Sequence, residues 1–493
     1  MQATQLDNDL QSIQAVRDLM RSAKIAAEEL AGFSQERLDR ICAEIAKDGD
    51  ANAERLAKLA AEETGFGVWQ DKVIKNQLGS ARTWDAWKDT QCVGMLREDT
   101  QAGLWEIGVP VGIVAALIPS TNPTSTTLYK AIISLKAGNA IVFSPHPGAK
   151  RCILETVALI QTAAKKAGAP EHAVQTISLT SIEATNALLS HRDIGMILAT
   201  GGEAMVRAAY SSGNPAIGVG PGNGPAFIEK SADIPQAVRR IIQSKTFDNG
   251  TICASEQSVV VENCIANQAE NEFKRQGGYF LSSEESERLG KLLLRPNGTM
   301  NPRIVGKPAI EIARMAGVPV PVETKVLISR QSETSHLNPY AHEKLCPVLA
   351  WYAEPDWEAA CARCIALLHV EGVGHTMAIH SNNEAVIREF ALKKPVSRLL
   401  VNTPAALGGV GATTSLAPAL TLGCGSIGGS STSDNVGPLH LINIRRVAFG
   451  NKEAEIRGQE SGDANGSDLD ITPEQIAEIT RKVLARLGES GIS

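Results

Sequence analysis

The sequence predicts an α/β protein whose parallel sheets are covered by helices on both faces, and three observations carry that expectation. From residue 103 short, apolar, β-branched runs alternate with helical stretches. Those runs are apolar nearly throughout, the pattern of strands buried on both sides rather than on one. A second stretch of the same texture begins near residue 240 and continues to about 430.

In chain order, residues 6–64 read as mostly helix. Ile13, Val16, Met20, Ala23 and Ala27 share one face, Leu38, Ile41 and Ile45 form a second stripe, and Gly32 and Gly49 are the expected breaks. VGIVAALIP (111–119), NAIVFSP (139–145), AVQTISL (173–179) and IGMILATGG (194–202) are strand candidates. The intervening segments 125–138, 149–168 and 181–192 are helix candidates. After a Gly/Ser-rich loop, 435–450 reads as an extended strand. Residues 451–468 are polar, charged and Gly-containing, the composition of a flexible linker.

Beyond the linker, 472–488 forms one amphipathic helix. Thr472 serves as N-cap, Pro473 suits the first helical position and Gln475 completes a capping box. Ile476, Ile479, Val483, Leu484 and Leu487 make a single stripe. A lone helix of this length is marginal in water and seeks a surface.

At 493 residues, with 43% hydrophobic and 21% charged side chains, the chain has material for two or three domains with a sizeable core. A net charge of −6 offers no basic stripe for nucleic acid. Nine cysteines, an odd number in a long chain, argue against a disulfide framework and for a reducing cytoplasm. The start MQATQLDNDLQSIQ lacks a secretory pattern, and no apolar run approaches the ~18–20 residues that cross a bilayer.

Cys253 lies in NGTICASEQSVVV (249–261), among small and polar neighbours just before a β-branched strand. A cysteine at such a junction is open to substrate, and its thiolate is a strong nucleophile for carbonyl carbon. The bland alternative is a buried small hydrophobe, as any of the nine cysteines can be. Two literal motifs carry less weight. Gly423, Gly425 and Gly428 fit G-x-G-x-x-G, without the strand before and the β-α-β unit after that a dinucleotide site needs. Cys361 and Cys364 form C-x-x-C in a helical context, with no second pair at metal spacing, so no metal site is expected.

G-T-I-C-A-S-E-Q-S (250–258) resembles the nucleophile motif of coenzyme A-acylating aldehyde dehydrogenases, and the resemblance covers about residues 6–450. It is nearest to the microcompartment-associated propionaldehyde and acetaldehyde dehydrogenases and to the aldehyde half of bifunctional aldehyde-alcohol dehydrogenases. IPSTNPTS (118–125) is similar to the segment carrying the catalytic Asn, which makes Asn122 an oxyanion donor beside the backbone N–H of Cys253. Read alone, Asn122 is equally a turn residue before Pro123. KAGNAIVFSPHP (136–147) resembles the adenosine-binding segment and brings in Ser144 and Pro145. A lysine often stands where Ser144 does, and its absence favours NAD over NADP. ATGGEAMV (199–206) places Gly201 and Gly202 at the dinucleotide, and Gly220 joins them.

In AIGVGPGNGPAFI (216–228) Val219 stands where hydrolytic relatives carry the glutamate that activates water. Without that carboxylate, an acyl-cysteine survives until a thiol arrives. EKLCPVLAW (343–351) resembles the segment whose Glu bonds the nicotinamide ribose, a role that falls to Glu343. EGVGHTMAIH (371–380) resembles the acylating branch's Gly-His-Thr signature, so His375 is either an orienter or base for the coenzyme A thiol or a structural histidine. Thr121, Ile252, Gly423 and Cys424 are expected to line the aldehyde pocket.

The implied fold has a Rossmann-like NAD/coenzyme A domain over 1–240, a catalytic α/β domain over 241–430 and a β oligomerisation element from strands near 92–109 and 431–450. A flexible linker follows at 451–471. The implied reaction takes a short aldehyde, propionaldehyde before acetaldehyde, with NAD and coenzyme A to an acyl-CoA. A homodimer or tetramer is expected. The tail resembles an encapsulation peptide that binds microcompartment shell or cargo proteins; otherwise it docks on its own subunit or a neighbour. The competing functions are a hydrolytic aldehyde dehydrogenase and a non-catalytic cargo or scaffold protein.

Overall fold

Three helices, Asn8–Leu30, Gln35–Ala51 and Ala53–Thr64, open the chain in a computed structural model that describes residues 7–452 and 472–489. Val16, Met20 and Ala23 on the first helix and Leu38, Ile41 and Ile45 on the second are buried, so both stripes face the core. The second break falls at Asn52 rather than at Gly49, which sits inside its helix. A Cβ on Gly49 would come within 2.9 Å of both Leu128 and Ser80, so this glycine serves close helix packing instead of a turn.

Strands β1 (Gly94–Asp99) and β2 (Leu104–Pro110) pair antiparallel, with Gly94 opposite Gly108. Five parallel strands follow: β3 (Ile113–Ile118), β4 (Ala140–Pro145), β5 (Val174–Thr176), β6 (Ile194–Thr200) and β7 (Ala216–Val219). Their order is β5-β4-β3-β6-β7, so the strand order reverses at β3, between β4 and β6. Every residue of β3, of β4 and of the helix Pro123–Lys136 between them is buried, and the two strands are accordingly apolar nearly throughout, without alternation.

The second sheet is also wholly parallel. It contains β8 (Gly224–Ile228), β9 (Glu256–Glu262), β10 (Gly278–Phe280), β11 (Val326–Arg330), β12 (Val348–Glu354), β13 (Gly374–His380) and β14 (Val396–Val401). Its order is β10-β11-β12-β9-β8-β13-β14. The chain therefore passes between sheets at residues 220–223, earlier than the division near 240 that the sequence suggested. The reason is local: Ala226, Phe227 and Ile228 pair with both β9 and β13 at the sheet's centre. Phe227 stacks on Phe390 at 4.8 Å between ring centroids, and Cys361 and Cys364 are buried in the same core on the helix Trp357–Val370.

The last strand, β15 (Ile442–Ala448), joins β2 to complete a three-stranded sheet with much exposed surface. One compact unit holds the chain through Thr100 and from Leu104 to Val447, both large sheets included. A second, small unit holds Gln101–Gly103 and the chain from Ala448. Within it Phe449 N–H donates to Gly103 O at 2.9 Å, and the helix Pro473–Glu489 begins with Thr472 N–H on Gln475 Oε1 (3.1 Å) and Gln475 N–H on Thr472 Oγ1 (3.4 Å), the expected capping box. The linker expected at 451–471 lies outside the described residues from 453 on. Among the described residues no helix is long and apolar enough to cross a membrane.

Candidate active site

The carboxyl ends of β3, β4, β6 and β7 open on one cavity of about 500 Å³, the crevice where ligands settle in an open parallel sheet. Thr121 and Asn122 follow β3, His146 follows β4, Gly201 and Gly202 follow β6, and Val219 closes β7 ahead of Gly220. Ile252, Cys253 and Glu343, from later in the chain, line the same cavity. Eight of the residues singled out in the sequence thus meet in one place, although Asn122 and Cys253 are far apart in the chain.

Asn122 occupies the N-cap position of the helix Pro123–Lys136, yet its side chain makes no cap hydrogen bond. A residue type favoured at that position for capping is here used otherwise. Its Oδ1 accepts from Lys75 Nζ at 2.6 Å and its Nδ2 lies 3.3 Å from Thr121 Oγ1. The helix N-terminus behind it adds positive potential toward the cavity.

Cys253 follows a strained turn. Asp248, Asn249 and Gly250 all have left-handed backbones, with φ of 50°, 50° and 79°. Such a run needs outside support in a non-glycine chain. The buried Asp248 carboxylate provides it, accepting from Val68 N–H at 2.7 Å, Lys72 Nζ at 2.9 Å, Thr251 Oγ1 at 2.7 Å and also Lys75 Nζ. The Cys253 thiol itself is partly exposed. Burial first, then Glu343 and Cys424, push its pKa up to about 12, against the pull of Arg398. At neutral pH the thiol is therefore protonated.

Glu343 is the only carboxyl group among the cavity's lining residues. Its Oε1 accepts from Gly222 N–H at 3.0 Å, and burial followed by Glu371 raises its pKa to about 8. Gly222 has no room for a side chain: a Cβ would sit 2.0 Å from Cys253 O. The residues that cross between the sheets thus press directly on the Cys253 loop. Val219 lines the cavity at the position where the sequence comparison looked for a water-activating glutamate.

Five singled-out residues do not reach the cavity's lining. His375 is fully buried at the start of β13, with Nδ1 2.9 Å from Thr376 Oγ1 and Nε2 without a partner. Burial, then Arg398, lowers its pKa to about 3, so it is neutral. Gly423 and Cys424 turn away because Gly423 N–H donates to Asp434 O (2.9 Å) and Gly425 N–H to Thr432 O (2.8 Å); Leu420 and Leu422 line the cavity in their stead. Ser144 and Pro145 end β4 one step behind His146, with Ser144 Oγ 3.0 Å from Thr185 Oγ1.

Lys72, Lys75, Asp248 and Arg398 were not found from the sequence. Two lysines spaced i, i+3 on a short helix read as a solvated face, and only their burial, 2% exposed each, tells otherwise.

The aldehyde dehydrogenase family matches residues 8–277 of this chain. Among curated relatives, the bifunctional aldehyde-alcohol dehydrogenase of Escherichia coli is 46% identical over 87% of this chain and 49% of its own length. This chain therefore spans about half the length of such relatives. The acetylating succinate-semialdehyde dehydrogenase of Clostridium kluyveri is 39% identical over 90% of this chain and 98% of its own. A sulfoacetaldehyde dehydrogenase from an Acholeplasma is 35% identical over 88% and 90%.

Among solved structures, a probable aldehyde dehydrogenase from Listeria monocytogenes is 58% identical, with a TM-score of 0.90 over 91% of this chain and 99% of that one. The propionaldehyde dehydrogenase of the Clostridium phytofermentans fucose utilisation bacterial microcompartment is 29% identical, with a TM-score of 0.81 over 90% and 98%. The Rhodopseudomonas palustris propionaldehyde dehydrogenase with bound propionyl-CoA is 27% identical, with a TM-score of 0.80 over 88% and 94%.

Proposed function

The chain belongs to the aldehyde dehydrogenase family, and from that premise we propose that it oxidises a short-chain aldehyde to an acyl-CoA with NAD and coenzyme A. The observation that carries the reading is the cavity wall: Cys253 and Asn122 face one space in which Val219 stands in place of a second, water-activating carboxylate. Propionaldehyde is the favoured substrate and acetaldehyde the next. Support comes from relatives named for propionaldehyde; others are named for succinate semialdehyde and sulfoacetaldehyde, so this choice rests on the solved neighbours.

The nucleotide fits the strand-end crevice. Gly202 and Gly220 have open space where a Cβ would stand, leaving room for a pyrophosphate against the backbone. Ser144 and Pro145 would border the adenosine end and Glu343 the nicotinamide ribose. Position 144 carries a serine and not a lysine, so the residue itself brings no cation to a 2′-phosphate, which supports NAD. When bound, the nicotinamide supplies the hydride acceptor.

The chemistry of the chain's own residues runs in two halves. The Cys253 thiol gives up its proton to solvent water, its sulfur bonds to the aldehyde carbon, and the carbonyl oxygen becomes an alkoxide held by Asn122 Nδ2 and the backbone N–H of Cys253. As the alkoxide re-forms its carbonyl the hydride leaves, and an acyl-cysteine remains. The coenzyme A thiol then gives up its proton and attacks that carbonyl. The bond to Cys253 breaks, its sulfur leaves as thiolate and takes up a proton from water to replace the one coenzyme A gave up, and acyl-CoA is released. The same steps reversed make the enzyme an acyl-CoA reductase. The role proposed for His375 toward the coenzyme A thiol rests on the resemblance of the Gly-His-Thr segment, since its neutral ring is buried off the cavity's lining.

The test is NADH formation from propionaldehyde and NAD with and without coenzyme A. Turnover is expected to need coenzyme A, with at most one equivalent of NADH per active site in its absence. Sustained turnover without it would make water the second nucleophile, with Glu343 the carboxyl at hand, and would end the acylating reading.

The proposed assembly is a homodimer or tetramer formed through the exposed sheet β1-β2-β15, whose Met95 and Ile444 are each 44% exposed. The proposed role of the tail is to bind shell or cargo proteins of a bacterial microcompartment, supported by the amphipathic pattern of Pro473–Glu489. Deleting residues 455–493 is expected to leave oligomer mass and activity in solution unchanged and to abolish co-purification with shell proteins. Shell association that survives the deletion would remove this role.

A further inference from the structure

The helix Trp69–Gln77 sends two lysines into the interior, and both reach the turn that carries Asn122. Lys72 Nζ donates to Thr121 O at 3.1 Å and Lys75 Nζ to Asn122 Oδ1 at 2.6 Å. Both also share one acceptor, Asp248 Oδ2, in the turn before Cys253. Lys75 reaches further into that turn, lying 3.2 Å from both the carbonyl and the hydroxyl of Thr251. Asp71, the other carboxylate of this cluster, accepts Asp248 N–H at 2.7 Å.

An ammonium group has donors and no acceptor, so only the oxygen of an amide can face it. With Oδ1 held by Lys75, the Asn122 amide nitrogen is left as the donor end, with only the weak contact to Thr121 Oγ1 at 3.3 Å. A side-chain amide without such a partner is free to rotate, and half of its orientations present an acceptor to a developing oxyanion. Repulsion between the amide oxygen and the alkoxide would then replace stabilisation.

We propose that Lys75 is a positioning residue for the reaction: anchored on the Asp248 carboxylate and Thr251, it fixes the Asn122 amide with its nitrogen toward the cavity. The proposal rests on the reading of Asn122 as an oxyanion donor. Lys72 performs the companion task on the backbone, anchoring the Thr121 carbonyl to the same carboxylate. The strained turn at Asp248 and Asn249 is thereby coupled to the end of β3, although the two lie in different parts of the sequence.

A mutant cycle on kcat tests the assignment. Asn122→Ala and Lys75→Met are each expected to lose about 10²-fold in kcat, with KM for the aldehyde changed by no more than about threefold. The double variant is expected to lie within about threefold of Asn122→Ala, because the lysine has nothing left to position. Alkylation of Cys253 by iodoacetamide, measured without substrate, should proceed at the wild-type rate to within about threefold in all three proteins, showing an intact nucleophile loop.

Losses that multiply to about 10⁴-fold in the double variant, or a Lys75→Met enzyme with wild-type kcat, would overturn the proposal while leaving the acylating reading intact. Wild-type kcat in Asn122→Ala alone would instead remove the oxyanion reading and the proposal with it. Lys75→Gln keeps a donor on a shorter arm. It is expected to lose about fivefold alone and nothing further beside Asn122→Ala, and it carries the same cycle if Lys75→Met fails to fold.

Discussion

Cys253→Ala is expected to lower kcat for coenzyme A-dependent aldehyde oxidation by at least about 10⁴-fold, to the floor set by binding and the oxyanion donors alone. No other thiol lines the cavity among the described residues, so no cysteine can take over. Cys424 comes close enough to influence the Cys253 thiol but is buried behind the wall. Alanine removes the sulfur without adding bulk, and the Gly222 crossing meets Cys253 at its backbone carbonyl and Cβ, both of which alanine keeps. Thermal stability should therefore stay close to wild type. The measurement is NADH formation under saturating coenzyme A together with mass spectrometry of the protein after acyl-CoA is added. Wild type should gain one acyl group at Cys253 and the variant none. A variant with a kcat within tenfold of wild type would show that the bond-forming nucleophile lies elsewhere.

The largest effect expected on stability is that of Arg398→Met, about 3–5 kcal/mol, because the guanidinium satisfies several buried groups at once. Arg398 is 4% exposed and donates to His375 O (3.2 Å), Gly423 O (2.5 Å), Ser433 O (3.1 Å), Asn435 Oδ1 (3.3 Å) and Thr376 Oγ1 (3.2 Å). It thereby sews β13 and β14 to the loop 423–435. Methionine fills much of the volume but leaves three carbonyl oxygens short of a donor in a water-poor interior. Lysine at this position should recover little, since a single ammonium cannot span acceptors arranged around a planar fork. The loop also brings Leu420 and Leu422 to the cavity, so a loss in kcat should accompany the loss in stability. Calorimetry and steady-state rates on the same preparations check both. A melting temperature within about 1 °C of wild type would mean that the loop is held by other contacts.

Much of the molecule was legible in the order of residues. The five-stranded sheet announced itself because its central strands β3 and β4 are buried on every side, and such burial leaves nearly continuous apolar runs. The stripes of the first two helices were legible for the complementary reason, that one face of each meets water. Glycine was the poorer guide. Gly49 reads as a break and is instead a point of close helix contact, a distinction that depends on Leu128 and Ser80, which come from elsewhere in the chain.

At the site, the segments around Asn122, Cys253, Gly201 and Glu343 were readable because each carries a local motif, and the cavity does gather them. The same kind of local resemblance pointed to Gly423 and Cys424, but a turn pinned by Asp434 and Thr432 moves them off the wall by a few residues. It pointed to His375 as well, whose ring is enclosed on β13.

Residue order alone settles the fold class and the lack of a carboxylate in the 216–228 loop, and it singles out Cys253 and Asn122 as the candidate nucleophile and its amide partner, since each of these is a property of a short segment. Folding in three dimensions settles which ends of the segments face one another and what holds them there. Lys72, Lys75, Asp248 and Arg398 acquire their meaning only when removed from water, where a charge must find partners or shift its protonation. A sequence records the charge but not the dielectric around it, and the difference lies in long-range packing that no local pattern encodes.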